Sequence, residues 1–115
     1  MFLQPDLRIM ADEQELRQIL INLINNSFKA LERGGYVLLT GNRTSEGVIL
    51  TIQDNGSGMD AEKLEAVLQG ERGGIGLSIV RRLTERNGGT FRMESTEGEG
   101  TWAILTFGGS KGETE

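Results

Sequence analysis

Leu16, Ile19, Leu20, Leu23, Ile24, Phe28 and Leu31 recur at three- and four-residue spacing, which puts them on one apolar stripe of a long helix. Asp12, with Glu15 three residues on, has the form of a capping box at its start, and Gly34-Gly35 ends it. A short strand at Leu7–Met10 precedes this helix. The period then changes to two. Tyr36–Thr40 and Val48–Asp54 read as an antiparallel hairpin joined by the polar turn Gly41–Gly47. Asp60 caps a short helix carrying Leu64, Val67 and Leu68. The glycine-rich segment Gly70–Gly76 follows, and Leu77–Arg86 is a further amphipathic helix stopped by Asn87-Gly88-Gly89. Thr90–Ser95 and Thr101–Phe107 form a second hairpin around Glu97-Gly98-Glu99-Gly100.

Two hairpins separated by helices predict an α+β fold: a two-layer sandwich with a mixed sheet of about five strands and helices on one face. The other face is expected to be largely solvated. The chain is about one domain long, so residues 1–115 are read as a single domain with a frayed tail at 108–115.

Strand alternation gives the first chemical clue. Val48, Leu50 and Ile52 share one side of their strand, and by parity Asp54 falls on the same apolar side. A carboxylate is aimed at the core, where it must accept hydrogen bonds, and Gly56 and Gly58 just after it let backbone approach a flat ligand. An adenine amino group is a donor of the required kind. Taken alone, Gly56-x-Gly58-x-x-Ala61 also fits a dinucleotide-binding turn, but no strand with an acidic end follows about 20 residues later.

On the long helix Asn22, Asn25, Asn26 and Lys29 align opposite the apolar stripe. Three Asn within five mid-helix positions weaken a helix that Glu or Lys would favour. A solvated polar face is one explanation. The functional one is that an Asn oxygen helps hold Mg²⁺ while Lys29 meets a phosphate. Gly73-Gly74-Ile75-Gly76 puts backbone N–H groups and a helix N-terminus where phosphate oxygens could bind, although a plain loop has the same composition. No Gly-x-x-x-x-Gly-Lys-Ser/Thr sequence occurs, which excludes an ordinary P-loop.

Composition narrows the chemistry. Lys and Arg total 12 against 17 Asp and Glu, a net charge of −5, so no general attraction to nucleic acid is expected. Cys and His are both absent, which removes disulfides, thiolate metal sites and imidazole catalysis within the chain. No secretory signal or membrane-length apolar run is seen, so the expected setting is cytoplasmic, with no membrane contact by this domain.

In order, these segments resemble the catalytic and ATP-binding domain of bacterial sensor histidine kinases, in the GHKL superfamily with its Bergerat fold. Residues 16–30, with Asn22, Asn25, Asn26 and Lys29, look like its N box. Asp54-Asn55-Gly56-Ser57-Gly58-Met59 and Gly74-Ile75-Gly76-Leu77-Ser78-Ile79-Val80 look like its two glycine boxes, and Gly100-Thr101 like the Gly-Thr of its last hairpin. The resemblance implies ATP and Mg²⁺ as ligands. Asn26 would be the metal ligand, Lys29 a phosphate contact and Asp54 the adenine acceptor, with Asn22 beside the γ-phosphate and Thr101 hydrogen-bonded near Asp54. Gly56, Gly58, Met59, Arg72, Gly74, Gly76 and Leu77 would complete the nucleotide site, with Asn22 and Lys29 as its catalytic pair. Related ATPases and serine kinases carry Glu at the position of Asn22, and Asn cannot act as that base.

The implied activity is transfer of the γ-phosphoryl group to a histidine on a separate dimerisation and phosphoacceptor domain, with a response regulator indirectly downstream. The isolated domain is expected to be monomeric. The alternatives are a regulatory nucleotide-binding module without transfer, or another GHKL ATPase or serine kinase. The sequence departs from the family in having no aromatic residue between Tyr36 and Phe91, and in a short lid whose only cation is Arg72.

Overall fold

The computed structural model describes residues 2–3, 9, 11–31, 34–45, 47–69 and 75–108. In chain order the elements are β1 (Phe2–Leu3), α1 (Glu13–Ala30), β2 (Val37–Thr44), β3 (Gly47–Asp54), α2 (Ala61–Leu68), α3 (Ile75–Arg86), β4 (Thr90–Thr96) and β5 (Gly100–Phe107). The sheet order is β1-β2-β3-β5-β4. β1 pairs parallel with β2, while β2, β3, β5 and β4 pair antiparallel in turn, so the sheet is mixed, as expected. The strand expected at Leu7–Met10 falls outside the described residues except for Ile9, and the tail expected at 108–115 does so except for Gly108.

The first hairpin is longer than its composition suggested. Gly41, Asn42, Arg43 and Thr44 belong to β2 and pair with Leu50, Ile49, Val48 and Gly47, because the apolar run in β3 offers ladder partners as far as Gly47. Helix α3 likewise begins at Ile75, two residues before the expected start.

Both layers contribute to one core. Ile19 and Leu23 of α1 and Leu77 and Val80 of α3 pack on Val48, Leu50 and Ile52 of β3 and on Ala103, Leu105 and Phe107 of β5. Phe28 departs from the expected stripe, being 59% exposed, while Ser27 is 7% exposed. The row through Ile19 and Leu23 continues four residues on at Ser27, and Phe28 is turned about 100° away from it. On the opposite sheet face Ile49, Thr51 and Ile104 are half-buried and Trp102 is 37% exposed, so that face is less solvated than expected.

The two long helices are tied at one end through Asn87. Asp12 caps α1 by accepting from the Glu15 N–H at 2.9 Å. The reciprocal half of the capping box is replaced: the Asp12 N–H donates to Asn87 Oδ1 at 2.8 Å, and Asn87 Nδ2 donates to Glu15 Oε1 at 2.9 Å. Arg86 Nε adds an ion pair to Glu15 Oε2 at 3.4 Å. The N–H groups of Gly88 and Gly89 return to the carbonyls of Glu85 and Thr84, which closes α3. The start of α1 and the end of α3 are thereby fixed together, and their far ends flank the site. Asn87→Ala should lower stability by about 1–3 kcal/mol, since it removes three side-chain hydrogen bonds, to the Asp12 N–H, the Glu15 carboxylate and the Leu83 carbonyl. Denaturant unfolding checks this, and the loss should exceed that of Arg17→Ala, whose ion pair with Glu13 is exposed.

Candidate nucleotide site

Between α1, α2, α3 and the ends of β3, β4 and β5 lies a cleft of about 430 Å³. Its inner wall is Leu23, Ile52 and Ala103, and Met59, Val67, Leu77 and Met93 narrow it from the sides. Small-molecule sites are commonly of this size, mostly apolar with a few placed polar groups.

Asp54 is the most deeply buried polar residue of the lining. It is 3% exposed and sits on the inward face of β3, as strand parity requires. Its Oδ1 accepts from the Gly56 N–H at 2.9 Å, while the carboxylate still borders the cleft. Asn55 turns outward, where its Oδ1 accepts from the Tyr36 N–H at 2.7 Å and anchors the turn to the start of β2. Thr101 is the cross-strand partner of Asp54 and also lines the cleft. Its hydroxyl is hydrogen-bonded to Ser95 Oγ at 2.8 Å.

The glycines of this turn serve the protein's own packing. Gly58 has φ +66°, and a Cβ there would lie 2.0 Å from the Thr96 carbonyl oxygen. Gly100 has φ +125°, and a Cβ there would lie 2.0 Å from the Asp54 carbonyl oxygen. The Gly98 N–H donates to the Ser57 carbonyl at 2.7 Å. The glycine turn and the β4–β5 hairpin are therefore in backbone contact, which holds Asp54 and Thr101 together.

Asn26, half-buried, and Lys29, exposed, line the cleft from α1. They lie on the flank of the apolar stripe rather than opposite it, because Leu23 and Ser27 of the same stripe are also at the cleft. Asn25 is exposed. Asn22 is set back from the lining: its Oδ1 accepts from Gln18 Nε2 at 3.1 Å, and its buried Nδ2 has no partner among the described residues. Gly56 is buried and donates to Asp54 rather than lining the cleft. Gly58, Met59 and Leu77 line it, and Gly76 lies in the first turn of α3. Arg72 and Gly74 lie outside the described residues.

Residues 11–109 match the family model of histidine kinase-, DNA gyrase B- and HSP90-like ATPases. The chain belongs to this ATPase family. Similar curated proteins include the sensor histidine kinase ZraS of Escherichia coli O157:H7, 35% identical over 80% of this chain and 21% of its own length. Sporulation kinase C of Bacillus subtilis is 33% identical over 81% of this chain and 23% of its own. The chain thus spans about a fifth of the length of such relatives. Among solved structures, the catalytic domain of histidine kinase ThkA superposes with a TM-score of 0.82 at 28% identity, covering 94% of this chain and 76% of that one. The mycobacterial sensor histidine kinase MprB, at 24% identity and a TM-score of 0.76, shares the fold.

Several cleft residues of this ATPase domain escaped the sequence reading. Ser27 carries no apolar signal, and Lys63 on α2 reads as an ordinary exposed charge, yet both line the cleft. The Lys63 N–H is held by Asp60 Oδ1 at 2.8 Å, which fixes the first turn of α2 at the rim. Met93, which also lines the cleft, was open to the same parity argument that found Asp54, since Phe91, Met93 and Ser95 alternate inward along β4. Gly58→Ala should disrupt the site through its backbone, because the methyl would meet the Thr96 carbonyl. The variant is expected to lose at least about 2 kcal/mol of stability in denaturant unfolding. Gly98→Ala, also at positive φ but with open space around it, should lose less.

Proposed function

We propose that this domain binds Mg-ATP in the cleft and donates the γ-phosphoryl group to a histidine on a separate dimerisation and phosphoacceptor domain. The observation that carries the reading is the buried Asp54 carboxylate in a largely apolar cleft that Asn26 and the exposed Lys29 of α1 also line. The Asp54 side suits a flat base with an amino donor, the α1 side an anion.

Asp54 accepts from the adenine amino group while Leu23, Ile52, Met59 and Ala103 enclose the base. Lys29 and the N-terminal turn of α3, which contains Gly76, bring positive charge to the phosphates. Lys63 adds a second cation, and neither lysine has an ion pair among the described residues. The Asn26 side-chain oxygen suits Mg²⁺, which takes few protein ligands beside phosphate oxygens and water; bound there, it would neutralise charge on the phosphates.

Transfer needs no base from this chain. A neutral imidazole nitrogen attacks the γ-phosphorus, the bond to the β–γ bridging oxygen breaks, ADP leaves and the imidazole proton passes to solvent. Asn22 cannot accept a proton, which fits an acceptor that is already nucleophilic. The chain has no His, so the acceptor is supplied by another domain. The response regulator then acts downstream of that domain, and the ATPase domain itself is monomeric and cytoplasmic.

A second reading, a nucleotide-binding module without transfer, is favoured by one feature. The connection from α2 to α3 covers only residues 69–74, leaving few side chains to cover a γ-phosphate. Calorimetry of Mg-ATP binding, followed by radiolabelled ATP with a histidine phosphoacceptor domain, separates the two. Asp54→Ala should weaken ATP binding at least about tenfold, as expected for losing a hydrogen bond to a charged group. Label should appear on the acceptor with the wild type and fall sharply with Lys29→Ala. Undiminished binding by Asp54→Ala overturns the site, and tight binding without label transfer supports the module.

A further inference from the structure

Ser95 does not line the cleft, yet it is bonded to two residues that do. Its Oγ accepts from the Met59 N–H at 2.8 Å, and it lies 2.8 Å from Thr101 Oγ1 and 3.0 Å from the Gly100 carbonyl oxygen. Ser95 is the cross-strand partner of Thr101, and Thr101 is that of Asp54. Three polar side chains thus stand in a row across the inner face at the end of the sheet.

Counting protons orients this row. Ser95 has one hydroxyl proton and the Gly100 carbonyl can only accept. If the proton goes to Gly100, Ser95 Oγ accepts from both Met59 and Thr101, and three hydrogen bonds form. If it goes to Thr101, only two form and the carbonyl of the buried Gly100 loses this partner. The first arrangement makes one more hydrogen bond among these half-buried groups, keeps the buried Gly100 carbonyl partnered and is favoured. Thr101 then spends its proton on Ser95 and turns only lone pairs to the cleft, beside a carboxylate that also only accepts.

We infer that Ser95 is a positioning residue for base selection: by taking the Thr101 proton it makes Thr101 and Asp54 a pair of acceptors. That pair reads an exocyclic amino group and rejects a purine bearing a 6-oxo group. The inference rests on the nucleotide reading above. Without the Ser95 hydroxyl, Thr101 can turn its proton to the cleft and meet a carbonyl oxygen, so the selection relaxes.

The test is calorimetric binding of Mg-ATP and Mg-ITP, which differ at this edge of the base and share ribose and phosphates. The wild type should prefer ATP, and Ser95→Ala should narrow the ATP-to-ITP preference about tenfold, the size of one hydrogen bond. Ser95→Thr, which keeps the hydroxyl, should retain the preference, and Ser95→Cys, a weak acceptor of similar shape, should narrow it even if the Ala variant fails to fold. Adding Ser95→Ala to Thr101→Val should narrow it no further than Thr101→Val alone. Equal weakening of both nucleotides by Ser95→Ala and Ser95→Cys, or an unchanged ratio, overturns the inference and leaves Ser95 a structural tie. Failure of the wild type to bind either nucleotide overturns the nucleotide reading itself.

Discussion

A carboxylate at the end of an apolar row is the constraint on which the rest of the site depends. Val48, Leu50 and Ile52 carry the inner face of β3 into the core, and Asp54 occupies the next position on that face. Burying a charge there is costly without partners. The chain supplies the Gly56 N–H from the adjoining turn and leaves the carboxylate open to a cleft from which a ligand donor can approach. That turn is in turn held against the β4–β5 hairpin by contacts only glycine permits at Gly58 and Gly100.

The rest of the molecule frames this point. Glu15, Asn87 and Asp12 join the start of α1 to the end of α3, so the two helices leave that junction as a fixed pair. Their other ends deliver Asn26 and Lys29 on one side and the first turn of α3 on the other. Stability and recognition are thus separated along the helices. The polar tie lies at one end, while the groups suited to an anion lie at the other.

Much of this was legible from residue order because it follows from period and parity. Asp12 and Asp60 read as helix caps and act as such, and the inward direction of Asp54 needed only the alternation of β3. Phe28 was misplaced because periodicity groups apolar residues without knowing where the sheet beneath the helix ends; Ser27, lacking an apolar signature, holds the buried position instead. The glycines were recognised as close-approach positions, but that Gly58 meets Thr96 and Gly100 meets Asp54 depends on tertiary neighbours. Parity turns Ser95 inward, but its bonds to Met59 and Thr101, like the place of Lys63 at the cleft, depend on how β4 and α2 pack.

The central claim is that the Asp54 end of this cleft receives an adenine nucleotide whose phosphates run toward α1 and α3. It is tested most directly by following backbone amide chemical shifts during titration with Mg-ADP. The account predicts saturable shifts concentrated at Gly56, Gly58, Met59 and Thr101 and along Asn26–Lys29, with little change at Ile49 and Ile104 on the opposite sheet face. Saturable shifts centred on that opposite face, with the amides around Asp54 unmoved, would contradict it.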